Sequence, residues 1–479
     1  MMRTIIALLL LIAPPALSQA MRIAASKALV LTHVTVIDAT GAPAQPDMTV
    51  VISGDRITAL GKTGKLAPAN DARVIDAKGK FLIPGLWDMH VHTSYRNFLT
   101  LFVANGVTGI RDMGGTPGEF ELFSRWRAEF KRDALPAPRI VAAGIVVDGP
   151  AGKGRSDSLH VANESEARQA VISLRKRGAD FIKVYTLLSR EAYFATADES
   201  KKQRLPFAGH VPAEVSAAEA SDAGQKSMEH LFGVLSACAK NEAELLGEVR
   251  AEIASSITPV FIRAELHAQA RALDAWDEPK TAALLALFAR NGTWQVPTLV
   301  GFRNLSDAAD DPFVSDSRLK FIASEKREAW KKQRAYLQQH LTTAYWDRSK
   351  RLFQKQLELM GAMQRAGVGL LAGTDTAGFY VFPGFSLHEE LELLVKAGLT
   401  PMETLQAATR NPARYLGMSE TLGTVEKGKI ADLVLLEANP LEAIGNTRKI
   451  AAVILGGRLI ARQELDQLLA EVETAASRN

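Results

Sequence analysis

Residues 85–92 read Gly-Leu-Trp-Asp-Met-His-Val-His. On a strand, alternation sends His90 and His92 to the same face, so the stretch delivers two imidazoles side by side. Short apolar runs of this kind, several closing on polar residues, recur at 107–112, 139–143, 181–185, 206–210, 227–231, 293–297 and 369–373. Amphipathic helices are predicted between most of them. Asn163 is an N-cap with Glu166 at N3, and Gly178 closes that helix. Thr400-Pro401-Met402-Glu403 is a capping box with proline at N1. Eight strands alternating with helices predict an α/β chain built as a parallel (β/α)8 barrel, a TIM barrel, over 81–418. The span exceeds the usual ~250 residues of such a barrel. The surplus falls in 236–290 and 302–365, read either as insertions over the active-site face or as surface elaboration.

Both flanks of this middle are β-rich. Residues 28–76 carry short β-branched runs, and Ser53-Gly54-Asp55-Arg56 marks a hairpin. Residues 431–436, 450–455 and 458–460 repeat the style, with a Gly456-Gly457 turn. The two ends, 21–80 and 419–479, are expected to pair into one composite domain.

The 479 residues include 57 Lys+Arg and 53 Asp+Glu, a net charge of +4; 47% are hydrophobic and 23% charged. That composition excludes a disordered chain. It contains no run of five or more like charges, so nothing in the composition supports a nucleic-acid partner. The single cysteine, Cys238, excludes an intrachain disulfide and any four-cysteine zinc site. A metal would have to use His, Asp, Glu or a modified Lys. Residues 1–20 combine Arg3, an apolar run and Ser18-Gln19-Ala20, which reads as a secretory signal cleaved after Ala20. No later stretch has the ~18 apolar residues of a membrane span. The mature chain is thus expected to be exported, periplasmic or secreted, and without a membrane span.

The chemistry falls at strand ends. Lys183 sits inside Asp180-Phe181-Ile182-Lys183-Val184-Tyr185. Burial disfavours the ammonium form, and a neutral amine can add to CO2 to give an anionic carbamate. His210 ends Phe207-Ala208-Gly209-His210, His230 ends Ser227-Met228-Glu229-His230, and Asp375 follows Leu370-Leu371-Ala372-Gly373-Thr374. Barrel enzymes hold their sites at these C-terminal strand ends.

The ordered pieces PGLWDMHVH, GVTGIRDMGG, GADFIKVY, AGHVP, MEHL, WQVPTL, LLAGTDT and GTVEKGKIADLVLL span nearly all of residues 28–462. In this set the chain resembles the amidohydrolase superfamily, in the branch with imidazolonepropionase-like and prolidase-like dipeptidase members. The resemblance implies a metal-dependent barrel hydrolase with a small β-sandwich made from both chain ends. It places His90 and His92 on one divalent ion and His210 and His230 on a second. Lys183 would bridge the two as N6-carboxylysine, and Asp375 would touch the first ion and serve as catalytic base and acid. Zinc suits such a donor set best. The implied activity is cleavage of a C–N bond by metal-activated hydroxide, in a dipeptide or an N-acyl amino acid. The alternative on the same residues is a lactone, phosphotriester or cyclic amide.

Tyr185, two residues beyond Lys183, faces the same way and is read as a catalytic and substrate-contacting residue or as packing. Arg111 and His160 are candidate substrate contacts, set against an ion pair and a surface histidine. His267 and His340 are expected to be solvated, His388 structural, and Trp330, Tyr336, Tyr345 and Trp346 packing residues. The expected partner is a small-molecule substrate, and a homo-oligomer stays open.

Overall fold

Hydrogen bonding divides the strands of the computed structural model into a mixed sheet and a ring of parallel strands. The structure describes residues 28–478 apart from 67–69, 94, 117, 133–135, 151–156, 256–260 and 311–312. The signal segment and Ala20 lie outside the described residues.

The first five strands are β1 (Leu29–Val36), β2 (Gln45–Ser53), β3 (Arg56–Lys62), β4 (Arg73–Asp76) and β5 (Phe81–Pro84). β1 is central, antiparallel to β2 and parallel to β4 and β5. The predicted Gly54-Asp55 turn joins β2 to β3.

The chain enters the barrel at Gly85. β6 (Leu86–Val91), β7 (Val107–Asp112) and β8 (Arg139–Ala142) run parallel. The third stave breaks at Gly144 and resumes as β9 (Val146–Asp148), flanked by β10 (Leu159–His160). β9 pairs with β11 (Ile182–Val184), followed by β12 (Phe207–Gly209), β13 (Ser227–Glu229) and β14 (Trp294–Val296). The expected eighth strand, 369–373, is not regular; it makes a single bridge, Gln295 to Leu370. Its backbone nevertheless closes the ring, with Leu371 N donating to Gln295 O (3.0 Å) and Met89 N to Ala372 O (2.9 Å). A Cβ at Gly369 would lie 2.4 Å from the Trp294 ring, and one at Gly373 2.6 Å from Val296. The neighbouring staves need those glycines, and glycine weakens a strand.

The last strands, β15 (Leu433–Leu436), β16 (Ile450–Leu455) and β17 (Arg458–Ala461), complete the small sheet, because β15 pairs antiparallel with β5. The sheet doubles back on itself: Ala431 N donates to Asp55 O (2.8 Å) and Ile57 N to Lys429 O (2.9 Å). Leu31, Val36, Val50, Leu433 and Ile454 fill its separate core. Two boundaries shift from expectation. β5 belongs to this sheet, so the crossing into the barrel comes at Gly85 instead of at 81. The final helix, Arg462–Arg478, packs on the barrel helix Arg96–Ala104 and places Leu465 and Val472 in the main core. Among the described residues no helix is long and apolar enough to cross a membrane.

His388 ties barrel to appendage, in keeping with its expected structural role. Its buried ring lies between the Thr447 hydroxyl (Nδ1, 2.9 Å) and the Asn105 carbonyl (Nε2, 3.1 Å). Burial first, then the Arg448 charge, pushes its pKa down to about 3, so the folded ring is neutral. The unfolded ring takes up a proton near pH 6.5, so this site withdraws stability as pH falls from about 6.5 towards 3, by up to ~1.4 kcal/mol per pH unit. Between about pH 6 and 4, His388→Gln is expected to show a flatter fall of Tm with pH than the native chain. Parallel slopes would remove His388 from the acid response.

Candidate metal centre and catalytic cavity

The C-terminal ends of the staves bring the six predicted ligands to one place. His90 is the penultimate residue of β6 with His92 just beyond its end, Lys183 is the middle residue of β11, and His210 and His230 directly follow β12 and β13. Asp375 follows the eighth stave. One donor atom from each of His90, His230 and Asp375 lies within 4.8 Å of the others. Asp375 Oδ1 is 3.5 Å from His90 Nε2 and 3.4 Å from His92 Nε2. The rings of His90 and His230 are 4.5 Å apart and those of His210 and His230 5.0 Å. His230 therefore sits with His90 and Asp375 as well as with His210, across the expected division into two ion sites.

Every one of the four imidazoles is held by its Nδ1. His90 meets Glu229 Oε2 at 2.7 Å, His92 the Gly114 carbonyl at 2.7 Å, His210 Thr186 Oγ1 at 2.9 Å and His230 Thr298 Oγ1 at 2.8 Å. A carboxylate or carbonyl partner requires Nδ1–H, which leaves the Nε2 lone pairs of His90 and His92 aimed inward. Burial first, and then positive neighbours, hold His90, His210 and His230 well below the usual imidazole range, so they are neutral donors. His90 Nε2 is buried without a hydrogen-bond partner. Neutral imidazoles, a carboxylate and a buried lysine amine are a donor set that fits divalent ions.

The layer beneath was not legible in advance. Of the two readings of Arg111 the ion pair holds and the substrate contact does not, because the side chain does not reach the pocket. It is fully buried, with its NH2 group 2.8 and 2.9 Å from the two oxygens of Glu229 and its NH1 group bonded to Ser227 and Tyr415. Glu229 is thus pinned between Arg111 and His90. It was overlooked although an acid inside an apolar strand is the same signal that singled out Lys183. Asp88 accepts from Thr374 N (3.0 Å) and Thr374 Oγ1 (2.6 Å) and shapes the turn carrying Asp375. Asp112 accepts from Thr93 N and Gly114 N, shaping the loop that holds His92. Burial lifts both carboxyls to about 7. His230 (φ 63°), Thr298 (φ 52°) and Asp375 (φ 62°) lie in the left-handed region, a conformation that side-chain-bearing residues hold only when their surroundings fix it.

A cavity of about 1090 Å³ opens above this layer, its floor including Asp148, Tyr185 and Asp375. The Tyr185 ring is 4.1 Å from that of His210. His160 is not among the described lining residues; its Nδ1 meets the Gly149 carbonyl at 2.8 Å. The walls come from the helices Glu242–Ser255, Phe261–Ala272, Ser324–His340 and Thr343–Arg365, so the surplus segments do stand over the active face. Trp330, Tyr336, Tyr345 and Trp346 all line the cavity and are more than packing, although Trp330 also packs 5.1 Å from Tyr380. His267 and His340, expected to be merely solvated, line it too.

The profile of the Amidohydrolase family matches residues 81–460. Imidazolonepropionases of Pseudomonas putida (strain GB-1) and Pseudomonas aeruginosa (strain LESB58) are 24% identical over 410 and 416 residues, 81% of this chain and 87% of theirs. Among solved structures, Bottromycin amidohydrolase aligns with TM-score 0.73 at 25% identity, covering 93% of this chain and 90% of its own. A Xaa-Pro dipeptidase with bound methionine aligns at 0.65 and 20% identity, covering 91% and 100%. The chain belongs to the Amidohydrolase family and is a hydrolase acting on C–N bonds.

The Glu229 arrangement makes a separable prediction. Glu229→Gln leaves Arg111 buried without its counter-charge and weakens the hold on His90. It is expected to lose about 3–5 kcal/mol of stability and about 10- to 100-fold in divalent-ion affinity. The double replacement Arg111→Met/Glu229→Met removes both charges and should recover much of the stability but not the ion affinity. Thermal denaturation and metal titration of both variants check this; full ion affinity in either would detach Glu229 from the site.

Proposed function

We propose that this protein is an exported, metal-dependent amidohydrolase that cleaves the amide bond of a dipeptide or an N-acyl amino acid. The observation that carries the reading is the set of four imidazoles, each tied at Nδ1, around Asp375 and Lys183. In this reading His90, His92, His210, His230 and Asp375 hold two divalent ions, zinc by donor chemistry. Lys183 would join them after its amine adds to CO2 and releases a proton, becoming a carbamate whose single negative charge is shared by two oxygens. Bound there, the ions acidify a water and polarise the scissile carbonyl.

The chain's own residues do the rest. The Asp375 carboxylate takes a proton from the attacking water as its oxygen bonds to the carbonyl carbon. It returns that proton to the nitrogen as the C–N bond breaks. Tyr185, on the cavity floor, meets the substrate. The inserted helices enclose the substrate's remainder, and their aromatic wall favours an apolar group there. Solved neighbours described as a Xaa-Pro dipeptidase and a putative prolidase are in keeping with a dipeptide substrate.

Lys183→Ala tests the centre. Alanine fits a strand interior, so the fold should persist while most bound metal and most activity toward dipeptides and N-acyl amino acids disappear. A small carboxylic acid at high concentration is expected to restore part of both, because it returns two oxygens to the vacated space. Lys183→Arg should not be rescued. Near-native metal and turnover in Lys183→Ala without added acid would sink the bridging role. A metal-loaded enzyme that turns over only lactones or phosphotriesters would sink the amide reading.

Export rests on residues 1–20. Intact mass of the exported protein is expected to place its first residue at Met21; retention of Met1 would overturn this.

A further inference from the structure

The inserted helix Ser324–His340 brings a lysine to the cavity that the hydrolytic centre does not use. Lys326, in its first turn, lines the cavity and is half-buried. Several lysines nearby in sequence are matched with acids: Lys320 with Glu473 (2.9 Å), Lys331 with Glu328 (2.7 Å), Lys350 with Asp310 (3.1 Å) and Lys355 with Glu358 (3.3 Å). Among the described residues no carboxylate stands within ion-pair distance of Lys326. Its Nζ lies 6.0 Å from the Trp330 ring, one turn further along the helix. Burial lowers its pKa, while the Asp375 carboxylate, within electrostatic reach, opposes that shift. A half-buried ammonium without a counter-charge is costly, and a bound anion removes the cost.

The rest of the lining agrees. The carboxylates among the described lining residues are Asp148 and Asp375, set against Arg263, Lys326 and Arg348. Asp375 belongs to the catalytic centre, and Asp148 already accepts from Leu187 N at 2.8 Å. Among the described residues Arg263 pairs with Glu252 (2.8 Å), which leaves Lys326 and Arg348 as the lining cations outside an ion pair; Lys326 sits at the junction of the hydrolytic centre and the aromatic wall.

We infer that Lys326 is a substrate-binding residue that takes a free carboxylate next to the scissile bond. The substrate class is then an amide whose amine part is an amino acid with its carboxylate free, the remainder being an apolar group laid against Trp330 and its aromatic neighbours. Esters, lactones and amides without that carboxylate lose the contact. This rests on the amide reading above, and its test is separate from turnover.

The probes are 3-phenylpropanoate and the neutral 3-phenylpropan-1-ol, bound to the metal-loaded enzyme and followed by calorimetry. Native enzyme is expected to prefer the anion. Lys326→Met should weaken the anion by about 10- to 100-fold while leaving the alcohol within about 2-fold. Lys326→Arg should keep most of the preference, and metal content should stay constant in both variants. Lys326→Gln serves as a second neutral replacement should methionine disturb the helix. Equal anion affinity in native and Lys326→Met enzyme would overturn the inference, because the carboxylate would then be binding elsewhere, at the ions above all. Equal weakening of anion and alcohol would overturn it too. If the anion preference depends on Lys326 yet no amide is turned over, the anion site stands and the amide reading falls.

Discussion

The buried pair of Arg111 and Glu229 is the constraint on which the rest of the site depends. Two opposite charges lie at the centre of a barrel, away from water, where an unmatched charge is expensive. Each is therefore saturated. Arg111 bonds Glu229, Ser227, Tyr415 and the Met89 carbonyl, and its guanidinium lies 5.0 Å above the Tyr415 ring. Glu229 receives Arg111, Ser227 and His90. These bonds reach from β6 through β7 to β13 and to the helix Arg410–Leu416. They fix the stave that carries both His90 and His92, and they divide an apolar layer containing Trp87, Met89, Val296 and Leu371 from the chemistry above.

Above that layer the rule is one tether per imidazole. The tethers come from loops and strand ends: Gly114, Thr186 and Thr298 all lie just past the C-terminal ends of their staves. The loops are themselves held by buried carboxyls. Asp112 binds the backbone around Gly114, and Glu390 accepts from Leu299 N (3.0 Å) and Val300 N (2.7 Å) beside Thr298. Burial raises Glu390 to about 8, against those two hydrogen bonds. Burial thus raises Asp88, Asp112 and Glu390 alike, and all three carboxyls serve to place backbone N–H groups around the site. That placement holds His230, Thr298 and Asp375 in left-handed conformations.

This layering explains what the amino-acid sequence discloses. Six candidate ligands at strand ends are legible because alternation and strand polarity are local properties. The barrel is legible from the repeated alternation of strand and helix, and the Asn163 and Thr400 caps stand where they were placed. The tethers are not legible, because each joins residues far apart: Glu229 and Arg111 are separated by 118 positions and Thr298 and His230 by 68. Arg111 reads as a substrate contact or as half of an ion pair until its distant partner Glu229 is known. The eighth stave reads as a strand because Leu370, Leu371 and Ala372 are apolar, while the effect of the Trp294 ring on Gly369 is tertiary. The role of the surplus helices is hidden for the same reason, since a helical aromatic stripe looks alike whether it faces a core or a cavity.

Chemistry and selection consequently sit on different parts of the chain. The staves hold Arg111, Glu229 and the four imidazoles through specific hydrogen bonds, and a shift of one would leave a buried donor or acceptor unpaired. The inserted helices are fastened mostly by apolar contact and surface ion pairs, which tolerate substitution far better. A lysine on such a helix carries its charge on a flexible four-carbon stem and reaches into the cavity without taking part in the ring of tethers. Replacement on the inserted helices can thus change which amide is accepted without moving a ligand. Replacement within the tether network changes whether the centre assembles.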